Sequence, residues 1–77
     1  MAIYVKYFAS LRDKLGHGED LLVVEGEVTV AEVWSRLWPK VPLPPNTMAA
    51  INKDYADLGQ WVQDGDEVAF FPPVTGG

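Results

Sequence analysis

Cysteine is absent from the 77 residues. That excludes a disulfide scaffold, a cysteine-ligated zinc or iron–sulfur centre, and a thiol nucleophile. Histidine occurs once, as His17, which excludes a two-histidine metal site. Basic residues are scarce: Lys and Arg number 6 against 11 Asp and Glu, for a net charge of −5. A chain so acidic is ill suited to neutralising phosphates, so nucleic acid is not an expected partner. No apolar run approaches the roughly 18 residues of a membrane span. The opening Met1-Ala2-Ile3-Tyr4-Val5-Lys6 has no basic n-region, apolar h-region or cleavage site, so neither a signal peptide nor a membrane partner is expected. A phosphate-cradling glycine loop is missing. Ser10 and Ser35 have neither a neighbouring base nor a nucleophile-elbow sequence, which leaves acyl-enzyme chemistry without support. Lack of disulfides fits a reducing cytoplasm.

What is present suffices for one small core. The chain is 48% hydrophobic, with three each of Trp, Tyr and Phe. A chain of this length has room for a single domain, held together by packing alone. Residues 3–8 alternate, with Ile3, Val5 and Tyr7 on one face and Tyr4, Lys6 and Phe8 on the other, which predicts a strand. Residues 9–15 change period and predict a short helix closed by Gly16. A second strand is expected over residues 21–25, antiparallel to the first because the connection is short. Thr29 and Glu32 form a capping-box sequence. Behind it Val30, Val33, Trp34, Leu37 and Trp38 fall on one stripe of a helix that Pro39 stops.

The proline-rich residues 39–45 predict an extended loop. Residues 47–52 predict a third strand, Asn52-Lys53-Asp54 a turn with a short edge strand near Tyr55, and Asp64-Gly65 a further turn. Residues 67–71 predict the last strand, with Val68 and Phe70 on one face and Ala69 and Phe71 on the other. The order of elements implies an α+β fold: a β-grasp, with a mixed four- or five-stranded sheet packed on one main helix and the first and last strands central.

Two polar groupings receive ordinary readings. His17, between glycines, is expected to be a solvated loop residue. Asp64, Asp66 and Glu67 are expected to form a solvated turn whose charges discourage edge pairing, with no bound metal. The C-terminal run is less ordinary. Residues 68–77 carry no charge and end on Gly76-Gly77. Pro72-Pro73 favours an extended, projecting course. Glycine admits backbone to a channel too narrow for any side chain, and an uncharged lead-in costs little to desolvate. The division expected is a folded body over residues 1–71 and an extended tail over 72–77. The reactive group expected at the tip is the α-carboxylate of Gly77, which needs activation by a second protein with ATP.

The run Asp64-Gly65-Asp66-Glu67-Val68-Ala69-Phe70-Phe71-Pro72-Pro73-Val74-Thr75-Gly76-Gly77 resembles the C-terminus of molybdopterin synthase small subunits, the MoaD-type sulfur carriers of the ubiquitin-like β-grasp family. Residues 5–13 and 48–52 resemble that family's opening strand with its helix, and its third strand. The resemblance implies a cytoplasmic carrier rather than an enzyme, with no permanently bound cofactor. An adenylating, ubiquitin-activating-like enzyme would use ATP on Gly77, and sulfur transfer would give a C-terminal thiocarboxylate. The tail would enter the large subunit of molybdopterin synthase, which holds the catalytic residues, and donate sulfur to precursor Z in molybdenum cofactor biosynthesis. By the same resemblance Gly76, Thr75, Val74, Phe71, Tyr55 and Arg12 belong to partner-binding positions, and no residue to a metal site. Sulfur carriers for thiamine or tRNA thiolation, and ubiquitin-like protein modifiers, share the fold and the tip.

Overall fold

Alternation in the first strand decides where the core lies. In the computed structural model, which describes residues 1–73, Ile3, Val5 and Tyr7 of β1 (Ala2–Tyr7) are fully buried and Tyr4 is exposed. The chain continues into α1 (Ala9–Leu15), which Gly16 closes at φ 87° while its N–H donates to the Arg12 carbonyl. β2 (Glu19–Val23) follows, then β3 (Val28–Thr29), α2 (Val30–Leu37), β4 (Met48–Ile51), β5 (Asp54–Ala56), β6 (Trp61–Val62) and β7 (Glu67–Phe71).

The main sheet has five strands in the order β2-β1-β7-β4-β5. β1 and β7 run parallel in its interior, and every other pairing in it is antiparallel. The expected mixed sheet with first and last strands central is therefore present, as is the antiparallel first pair. β3 and β6 form a separate two-stranded ribbon beside the start of α2. The sequence reading contains neither strand, because two residues are too few for alternation to register. The second strand begins at Glu19 instead of Leu21, since the ladder with β1 already engages Glu19 opposite Lys6.

α2 starts where its cap predicts. Thr29 Oγ1 accepts from the Glu32 N–H at 3.2 Å, and Glu32 Oε1 accepts from the Thr29 N–H at 3.3 Å. Val30, Val33 and Trp34 face the sheet and are buried with Val5, Val68 and Phe70 in one core; Leu37 and Trp38 pack at its margin. Trp38 serves as C-cap rather than as a helical residue. Trp34 Nε1 donates to the Val41 carbonyl at 2.8 Å, which ties the proline-rich loop to the helix. Among the described residues no helix is long and apolar enough to cross a membrane.

Two expectations hold only in part. His17 is an exposed loop residue, as expected, but not a free one: its ring stacks on Trp38 at 5.4 Å and its Nε2 lies 2.8 Å from Asp20 Oδ2. The same carboxylate oxygen accepts from the Tyr7 hydroxyl at 2.9 Å, and that hydroxyl accepts from Trp38 Nε1 at 2.8 Å. Burial raises the Tyr7 phenol well above its ordinary value; donation from Trp38 offsets part of this, and Asp20 adds to it. The acidic turn is solvent-exposed, as expected, but its charges guard no edge. Asp64 Oδ1 accepts from the Ala2 N–H at 2.7 Å and Asp66 Oδ2 from the Gln63 N–H at 2.8 Å. Asp66 Oδ1 also accepts from Asn52 Nδ2, whose Oδ1 accepts from the Glu67 N–H, each at 2.9 Å. These carboxylates satisfy backbone donors where β7 enters the middle of the sheet, so no edge is there to guard.

Candidate functional site

The C-terminal run leaves the sheet from its central strand. Phe71 ends β7 opposite Met48 and is followed by Pro72 and Pro73, which carry no regular structure. The tail thus starts from a strand held on both sides, so its root is fixed by the sheet ladder rather than by a loop. Val74, Thr75, Gly76 and Gly77, named as site residues from the sequence, lie outside the described residues.

Phe71 points away from α2, as the alternation of β7 requires. Its ring lies 5.9 Å from that of Tyr55, which is 73% exposed. The two line an open groove of about 370 Å³ together with Phe8, Ala50, Ala69, Lys6, Lys53 and Glu67. Lys6 Nζ lies 3.7 Å from Glu67 Oε2 across its floor; this pair is exposed and adds little stability. Arg12 is not in this groove. It borders a neighbouring depression with Gly18 and Glu19, sharing Lys6 and Phe8 with the first. Its Nε would lie 3.2 Å from a Cβ at position 18, so a glycine there leaves room for the Arg12 side chain.

The structure therefore brings Phe71 and Tyr55 together and sets Arg12 one side chain away, across Phe8. Sequence reasoning does not name Phe8, Lys6 and Lys53 as site residues. Alternation alone places Lys6 and Phe8 on the outer face of β1, and Lys6 stands beside Ala69 only through the parallel β1–β7 register. Lys53 enters through the tight turn, where Asn52 and Lys53 take φ 51° and 74°. Three of the chain's six cations, Lys6, Lys53 and Arg12, thus rim an apolar, aromatic outer surface at the root of the tail. Such a surface suits a protein partner that presents apolar side chains ringed by acids. Among the described residues no group of three or more His, Asp or Glu could hold a metal ion.

The profile of the ThiS family matches residues 5–77. The molybdopterin synthase sulfur carrier subunit of Escherichia coli (strain K12) is 35% identical over 80 residues, covering 97% of this chain and 99% of that protein. The Homo sapiens protein of the same name is 27% identical, covering 97% of this chain and 93% of its own. Among solved structures, small archaeal modifier protein 1 of Haloferax volcanii superposes with a TM-score of 0.79 at 27% identity, covering 95% of this chain and 98% of that one. The five-stranded sheet on one main helix is the ubiquitin-like β-grasp fold.

Proposed function

The chain belongs to the ThiS family, and from that premise we propose that it is the sulfur carrier subunit of a molybdopterin synthase, working in the cytoplasm. One observation carries the reading: a relative named for that function matches at 35% identity across 97% of the chain. The uncharged run after β7, ending Gly76-Gly77, supplies the chemistry such a carrier needs.

A carboxylate resists nucleophiles because its charge is delocalised and its leaving group is poor. In the proposed cycle an adenylating enzyme supplies ATP. A carboxylate oxygen of Gly77 attacks the α-phosphorus, pyrophosphate leaves, and the acyl-adenylate forms. A sulfide-level nucleophile (HS⁻) then attacks the acyl carbon, AMP departs and the S–H proton is lost, leaving a thiocarboxylate. The tail enters the large subunit, where the sulfur passes to precursor Z as the acyl C–S bond breaks and water restores the Gly77 carboxylate. Gly76 provides the thin neck, with Val74 and Thr75 as uncharged lead-in. The groove at Phe71 and Tyr55, with Arg12 beside it, is the docking surface that registers the tail in each partner. Catalytic groups belong to the partners, and this chain binds no permanent cofactor.

A protein-modifier role is the second reading, favoured by the likeness to small archaeal modifier protein 1. Both roles share the acyl-adenylate and diverge in the nucleophile that follows. Mass spectrometry of the protein isolated from its native cell separates them. A terminal thiocarboxylate is the expected result. Isopeptide-linked adducts alone would move the assignment to the modifier, and an unmodified carboxylate throughout would reject both.

A further inference from the structure

The two borders of the main sheet differ. Tyr7 N–H donates to the Gly18 carbonyl and Val24 N–H to the Met1 carbonyl, each at 2.9 Å. Antiparallel ladders alternate. Asp20 and Leu22 therefore turn their backbone groups to β1, and Glu19, Leu21 and Val23 turn theirs to the open border. The side chains of these three stand on the outer face, where Leu21 is 57% and Val23 72% exposed. Tyr4, paired with Leu21, is 54% exposed and extends the apolar strip inward.

Edge strands are commonly kept short or charged to prevent pairing. β5, at the other border, follows that rule: it is three residues long and lies between Lys53 and Asp57. β2 is five residues long, without proline or lysine. Of its two acids only Glu19 points outward, since Asp20 is turned in toward the Tyr7 hydroxyl.

We infer that β2 is a self-association edge: a second copy of this chain adds to it antiparallel, about a two-fold axis through Leu21, and joins the two sheets into one. Charge selects this register. With Leu21 facing Leu21, Glu19 of each copy faces Val23 of the other and Asp20 faces Leu22, so no acid meets an acid. The outward N–H and C=O groups of Glu19, Leu21 and Val23 all find partners in this arrangement. Sliding by two residues one way sets Asp20 against Asp20; sliding the other way sets Glu19 against Glu25. Like charges directly opposed destabilise a strand pair. The Tyr4 and Leu21 side chains of both copies then form one continuous apolar strip. Phe71 and Tyr55 stay free at the far side, so the association is independent of the carrier reading.

Sedimentation velocity on the full chain, in a series up to about 1 mM, tests this; a small interface implies weak, concentration-dependent pairing. The dimer fraction should rise with concentration, and the amides of Glu19, Leu21 and Val23 should gain hydrogen-exchange protection in parallel. Leu21→Lys brings two ammonium groups together on the axis and should weaken the dimer about tenfold or more. Val23→Lys sets a cation opposite Glu19 and should keep it. Both sites are exposed, so circular dichroism should match the wild type. A wild-type chain that stays monomeric throughout overturns the inference. So does a dimer that both substitutions weaken equally, or one without protection at these three amides.

Discussion

Phe71 occupies the last position of a central strand, yet its ring faces away from the core. It is only half-buried, with the Tyr55 ring beside it at 5.9 Å. Phe71→Asp should therefore cost the fold about 1 kcal/mol, the value of a half-buried ring. Its binding to the large subunit should weaken by roughly 30-fold or more, as expected when a charge replaces an aromatic anchor. Equilibrium unfolding and a binding titration on the same variant separate the two effects; a collapsed fold would mean that the ring belongs to the core. Tyr7 is the contrasting case, an aromatic buried to its hydroxyl. Its folded phenol titrates well above the ordinary value of 10.0, so the unfolded chain releases this proton first as pH rises. The contribution is complete below pH 10 and falls above it by about 1.4 kcal/mol per pH unit, until the folded phenol also ionises. Urea midpoints measured between pH 9 and 12 should fall more steeply for the wild type than for Tyr7→Phe. Parallel slopes would contradict the buried, hydrogen-bonded hydroxyl. The outward course of Phe71 was legible from alternation. The neighbours Lys6 and Phe8 were not, because a parallel register between the first and last strands is set by contacts far apart in sequence; nor was Lys53, which is brought in by the turn after β4.

Among the elements, α2 was the most legible, since its cap and its stripe are both local patterns. Thr29→Ala removes the cap and should cost about 1 kcal/mol. Trp34→Ala opens a cavity in the core and frees the Val41 carbonyl, and should cost roughly 3–5 kcal/mol, much of what so small a domain has. Chemical denaturation should rank the two in that order; equal, small losses would mean that α2 contributes little to the core. The misread elements fail for identifiable reasons. β3 and β6 are too short to show a period, and each is defined only by the other. The partners of the acidic turn are illegible because they lie far along the chain: Asp64 finds its donor at Ala2, and Asp66 is joined through Asn52. His17 reads as free because Trp38 lies 21 positions along the chain, and only the fold brings the rings together.

For the whole molecule, the sheet order and the tail form one device. Placing the last strand between β1 and β4 anchors the root of the tail on both sides; under the proposed docking at Phe71 and Tyr55, that anchoring would set where the tip arrives. A reacting carbon displaced by about 1 Å can lose about 100-fold in rate, which makes such anchoring matter. The central claim is that the α-carboxylate of Gly77 is the group activated and charged with sulfur. It is tested most directly by a variant with one residue appended after Gly77, assayed with the adenylating enzyme, ATP, a sulfur donor, the large subunit and precursor Z. The extended protein should unfold at the wild-type midpoint and form neither thiocarboxylate nor product. Wild-type sulfur transfer by that protein, confirmed intact and unprocessed by mass spectrometry, would contradict the account.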